Sequence, residues 1–187
     1  GILPRWTSSA KTGVGTARNL HSQVWFTLSH GILDEIYFPR VDQACTRDQG
    51  LLVSDGSGFF SEEKRNTTSR ISALAPGVPG YRLINTCSQG RYRIVKEVIS
   101  DPFRNSVLQK ISFEPLQGTL ADYHLFALLA PHLANFGTGN DAWVGDYKGF
   151  PMLFAQRDRH ALAFACSVPW ARMSVGYVGV SDGWQDV

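Results

Sequence analysis

The sequence predicts an all-β fold, an antiparallel β-sandwich, on three observations. Apolar residues recur mostly with period two rather than 3.6. Clusters of Gly, Pro, Asn, Asp and Ser interrupt these runs at intervals of roughly 8 to 15 residues, the spacing of short strands joined by turns. No amphipathic helical stretch stands between them, so the crossover helices that a parallel sheet requires are missing.

The elements follow in order. Val24, Trp25, Phe26, Thr27 and Leu28 form a β-rich run, and Glu35 to Phe38 a second, stopped by Pro39. Gly50 to Ser54 reads as a strand, Asp55, Gly56, Ser57 and Gly58 as its turn, and Phe59 to Lys64 as the return. Tyr81 to Thr86 alternates, turns at Ser88, Gln89 and Gly90, and comes back as Tyr92 to Ile99, the clearest strand in the chain. Val107 to Phe113 alternates again and ends at Pro115. Tyr123 to Leu129 is apolar enough for a strand buried on both faces. Pro151 to Ala155 and Ala161 to Val168 pair across a charged loop at Gln156 to His160, and Ser174 to Val180 reads as a last short strand. Residues 135–147 read as a Gly-rich loop.

The chain of 187 residues is long enough to bury roughly 70% of its unfolded surface in one core. We expect a single sandwich domain over residues 1–187, since no repeat, low-complexity tract or linker divides it. Charged residues make up 18%, below the ~25% of ordinary globular chains, which excludes disorder driven by charge. A formal charge of +2 without a basic run gives little field for nucleic acid or an anionic membrane. No apolar stretch approaches the ~20 residues that span a bilayer. Cys45, Cys87 and Cys166 show no CxxC spacing, so zinc-ribbon and thioredoxin-type sites are excluded. Buried free thiols on strands are the expectation, with one disulfide left open.

Catalytic motifs were sought and not met. Gly137 to Ala142 fits GxGxx(G/A), but no helix follows to hold a pyrophosphate. No GxSxG elbow, HExxH or histidine–carboxylate cluster is present, and no metal ligand set is legible; calcium is left open. Asp34–Glu35 and Glu62–Glu63 are adjacent acids, and on a regular strand neighbours point to opposite faces, so neither pair is expected to flank one bond. Most of the aromatics are expected in the core. Trp143 and Tyr147 are the exceptions, set among Asn135, Asn140, Asp141 and Asp146 where rings and hydrogen-bonding groups would be exposed together.

Several segments carry a specific resemblance. Residues 25–43, with His30, Gly31, Asp34, Glu35, Pro39, Arg40 and Asp42, resemble the amino-terminal domain of prokaryotic glucoamylases and glucodextranases of glycoside hydrolase family 15. The opening from Trp6 to Ala17, Phe59 to Arg65, Leu129 to Asn135 with the loop after it, and Val180 to Asp186 match in the same order. The resemblance implies a large twisted sandwich of the supersandwich type, followed in the family by an (α/α)6 barrel that carries both catalytic glutamates. It therefore implies no catalytic residue here and no cofactor. The implied partner is the chain's own C-terminal barrel, with α-glucan as a further candidate and an extracytoplasmic setting for the parent.

Two segments, residues 29–42 and 135–147, are the candidates for a domain-interface or substrate-rim surface. His30, Arg40, Asp42, Asn135, Asn140, Trp143 and Tyr147 are its named residues. Arg40 and Asp42 could reach a partner or pair with each other. The alternative function is a free-standing carbohydrate-binding sandwich in which Trp143 and Tyr147 stack on sugar rings. An exposed apolar patch is expected where a barrel would sit.

Overall fold

A computed structural model describes residues 10–187; the matching stretch Trp6 to Ser9 lies outside the described residues. Thirteen strands among them build three antiparallel sheets. The first sheet runs β1 (Gly13–Thr16), β2 (Trp25–Ser29), β3 (Ile32–Tyr37), β4 (Thr46–Ser54) and β10 (His124–Pro131), with β5 (Phe60–Glu62) also paired to β4. The second is a meander of β6 (Thr67–Ala73), β7 (Tyr81–Cys87), β8 (Tyr92–Ser100) and β9 (Val107–Pro115). The third is β11 (Asp141–Tyr147), β12 (Phe150–Arg157) and β13 (His160–Phe164).

The period-two pattern decides how the first two sheets meet. Tyr92, Ile94 and Val98 of β8 point inward with Leu83 and Cys87 of β7, while the alternate residues Arg93, Val95, Glu97, Ile84 and Thr86 stay partly exposed. They pack on Phe26, Leu28 and Leu33, and on Leu51, Val53 and Phe59, from the first sheet. Tyr92 stacks on Phe113 at 5.3 Å between centroids, so the strand aromatics fill the core as expected. Such large side chains contribute roughly 1.5–3 kcal/mol each when fully buried.

One charged position interrupts this apolar layer. Lys96, inward on β8, is fully buried and donates to Glu63 at 2.6 Å. Glu63 lies in a four-residue helical turn, Glu63–Asn66, that ends the expected return strand after Glu62. Its carboxylate also accepts from the Leu51 backbone N–H and from Asn85, which donates in turn to the Gly31 carbonyl. The ion pair thus ties β8, β7 and β4 together, and every charge in it is hydrogen-bonded, the condition for burying one at all.

The third sheet joins the first through a small cluster of Cys45, Leu133 and Ala155, with Phe38 and Leu162 against it. Several expectations are corrected here. Residues 141–147 form β11 rather than a loop, because the apolar β12 supplies a partner along its whole length despite Gly145 and two aspartates. Residues 174–180 form no strand; the chain reverses at Gly179, whose φ of +76° suits glycine, and no strand among the described residues pairs with it. β10 is half-buried rather than buried on both faces, since it forms an edge of its sheet. Residues 67–73, unassigned in the sequence, form β6, and β13 stops at Phe164. All three cysteines are free; Cys45 and Cys87 are buried as expected, whereas Cys166 is exposed outside any strand.

Candidate functional site

Two places gather charge at the face of the first sheet that turns away from the second, and both are made by irregular pairing. In the first, Phe26 pairs with Ile36 and Leu28 with Leu33, so Thr27 alone faces both Asp34 and Glu35. This β-bulge turns two consecutive side chains to one side. The expectation that Asp34 and Glu35 point apart is therefore wrong: both bind the Lys11 ammonium, Asp34 at 2.5 Å. The Thr27 hydroxyl donates to Glu35 at 2.8 Å.

The two acids respond oppositely. Burial dominates at Asp34, which is 1% exposed, and lifts its pKa to about 6 against the pull of Lys11. Burial also raises Glu35, but hydrogen bonds from Lys11 and Thr27 outweigh it and hold the carboxyl below its usual range. Lys11 loses from burial and gains more from the two carboxylates, so its ammonium is held more firmly than usual. Two carboxyls with divergent proton affinity are the pattern of an acid and its partner. Here the Lys11 ammonium fills the space between them, where a reacting oxygen would have to sit.

In the second place, Asp48 pairs with Ala130 and Thr46 with Pro131, so Arg47 is an extra residue in β4. Arg47 reaches Asp48 at 3.2 Å, Lys64 reaches Asp48 at 2.8 Å and Glu62 at 3.5 Å, and Arg65 reaches Glu62 at 3.1 Å. Arg47, Asp48, Glu62 and Lys64 of this chain of ions form one wall of a cavity of about 200 Å3 between the first and third sheets, which Leu128, Leu153, Phe164 and Trp184 also line. His132 also lines it, and burial, followed by the nearby Arg47 charge, lowers its pKa and favours the neutral ring. Among the described residues, no group of three or more His, Cys, Asp or Glu is placed to hold a metal ion.

The residues named from sequence fall into three separate groups. His30 sits with Gly31 in the β2–β3 turn, both at positive φ, and its ring contacts the Ser29 hydroxyl at 2.6 Å. This is the opposite end of β3 from Arg40. Arg40 and Asp42 form a two-pronged pair with each other at 3.0 and 2.7 Å, both well exposed. Asn135 clamps their loop, accepting from the Ala44 N–H and donating to the Asp42 carbonyl, while Asn140 accepts from Leu133 and donates to Phe136. Trp143 and Tyr147 lie on β11, on the third sheet, with Trp143 stacked on Phe154 at 5.4 Å. The structure thus joins Asp42 and Asn135, and leaves His30 apart.

Lys11, Thr27, Arg47, Asp48 and Lys64 were missed in the sequence. Their grouping depends on bulges, which depend on pairing between strands and leave no local signal.

Residues 1–187 match the protein family described as glucodextranase, domain N. A glucoamylase of Clostridium sp. (strain G0005) is 40% identical over 182 residues, which cover 97% of this chain and 26% of that protein. The crystal structure of a bacterial glucoamylase complexed with acarbose superimposes on the whole chain with a TM-score of 0.95 and 38% identity, over 28% of its own length. The chain therefore spans about a quarter of the length of these relatives.

Proposed function

Because the chain belongs to the glucodextranase N-terminal domain family, we propose that it is the non-catalytic β-sandwich of a larger glucoamylase-like glycosidase and packs on the catalytic barrel of the same polypeptide. One observation carries this reading: the grouped carboxylates are already committed to cations. Asp34 and Glu35 share Lys11, Glu63 is held by Lys96, and Asp48 and Glu62 by Lys64. An inverting glycosidase needs one protonated carboxyl and a second ~6.5–9.5 Å away, with room between for the sugar and a water. The acid that keeps a proton nearest neutral pH, Asp34, is closed off from solvent and bonded to Lys11.

The acid and base of the parent then come from another part of the polypeptide, which cleaves α-glucosidic bonds of starch- or dextran-type glucans. This domain contributes a stiff edge beside that site. The Asn135 clamp and the Arg40–Asp42 pair hold the loop at 38–44 against residues 133–140, and that edge is the part suited to shape a rim. The test is an assay of the purified 187-residue chain on maltose, soluble starch and dextran. No glucose release is expected, while the full polypeptide releases it; release by the short chain at a rate comparable to the full enzyme overturns the proposal.

A further inference from the structure

An antiparallel sheet with one solvated face alternates apolar and polar residues. The third sheet does not. On the face toward the first sheet, Leu153, Ala155 and Leu162 pack on or line the space beside Leu133 and Cys45. The pairing register puts Trp143 beside Phe154, Gly145 beside Met152 and Tyr147 beside Phe150 on the opposite face. That face carries no charged side chain between Asp141 and Lys148 at its two ends. Trp143 is 42%, Tyr147 56% and Phe150 65% exposed. A hairpin apolar on both sides has the sequence of a sheet covered on both sides.

We infer that this Trp143–Tyr147–Phe150 face is a docking surface for an apolar segment from a later part of the same polypeptide. The inference rests on the reading of the chain as one domain of a longer enzyme, and adds which surface is used. Two observations favour that occupant over others. About three quarters of each relative lies outside the matched stretch, so a large amount of the same polypeptide is available as cover. Residues 174–184 already lie beside this sheet: Val175, Gly183 and Trp184 line the cavity with Leu153 and Phe164. β11 is also an edge strand with one row of backbone N–H and C=O groups unpaired by the described residues, so a covering segment can gain main-chain hydrogen bonds as well as apolar contact.

Thiol footprinting of the full polypeptide tests this. Cys166→Ser removes the exposed thiol of residues 1–187, Cys45 and Cys87 being buried, Tyr147→Cys or, separately, Phe150→Cys supplies the probe, and labelling is read on the peptide that carries it. Labelling by a small maleimide should be at least ~100-fold slower than in the urea-unfolded chain, unchanged over a hundredfold dilution and unchanged by maltoheptaose. Two independent probes keep the result readable if one variant fails to fold. Fast labelling of both overturns the inference. Protection that vanishes on dilution assigns the face to a second copy, and protection that requires maltoheptaose assigns it to glucan; either outcome overturns it as well. Glucose release by the short chain would overturn the proposed function without altering this footprint, so the two failures are distinguishable.

Discussion

The sandwich of the first and second sheets and the third sheet answer the same problem differently. In the sandwich, inward positions find an opposing sheet: Phe26, Leu28, Tyr92, Ile94 and Val98 are essentially buried. In the third sheet only Ala155 is fully buried, and its largest side chains stand open. Both regions are built of antiparallel strands paired along their length, so hydrogen-bonded pairing alone does not distinguish a finished layer from one awaiting cover. What differs is the match between the apolar pattern and the surface that meets it. A close-packed core responds to every lost methylene, whereas an uncovered sheet has little packing to lose.

The contrast is broken most severely at the buried ion pair. Lys96→Met should cost about 3–5 kcal/mol by leaving Glu63 buried without its cation, and adding Glu63→Gln should recover a large part. Urea unfolding of the single and double variants reads this; an additive double variant would show that the two groups are not coupled. Apolar truncation then compares the regions directly. Leu28→Ala should cost about 2–5 kcal/mol, while Trp143→Ala in the 187-residue chain should cost under ~1 kcal/mol, since its indole is backed mainly by Phe154. Equal losses at the two sites would mean that the third sheet is already packed.

A pH-dependent effect concerns Asp34 and sharpens the picture on the outer face of the first sheet. Its folded pKa, about 6, lies above the ordinary 3.8, so the folded state binds the proton more tightly. Stability should therefore fall as pH rises from about 4 to about 6, by up to roughly 3 kcal/mol. Glu35 acts in the opposite sense: its depressed pKa gives stability that is present above its unfolded value and lost as acid protonates the folded carboxyl. Asp34→Asn should flatten the fall between pH 4 and 6 and leave the protein no less stable at pH 7. A variant that keeps the full slope would assign it to another group.

Much of the candidate site escaped the sequence for a specific reason. Asp34 and Glu35 were visible as adjacent acids, and strand alternation set them on opposite faces. The single residue Thr27 opposite both of them undoes that alternation, and only the pairing of β2 with β3 reveals it. Arg47 is re-aimed by the second bulge in the same way. Asn135 and Asn140 were picked out as polar groups for a partner, yet the Asn135 amide is spent on Asp42 and Ala44, distant in the chain, and the Asn140 amide on Leu133 and Phe136 of its own segment.

By itself the sequence determined the fold class and the strands β2, β7 and β8, because a period of two and turn-forming residues act over a few neighbours. The tertiary structure decided where that period is broken, which acids share an ammonium, and that residues 141–147 become a strand rather than a loop. Each of these depends on a partner strand many residues away, whose register is set by the packing of whole sheets rather than by any local preference.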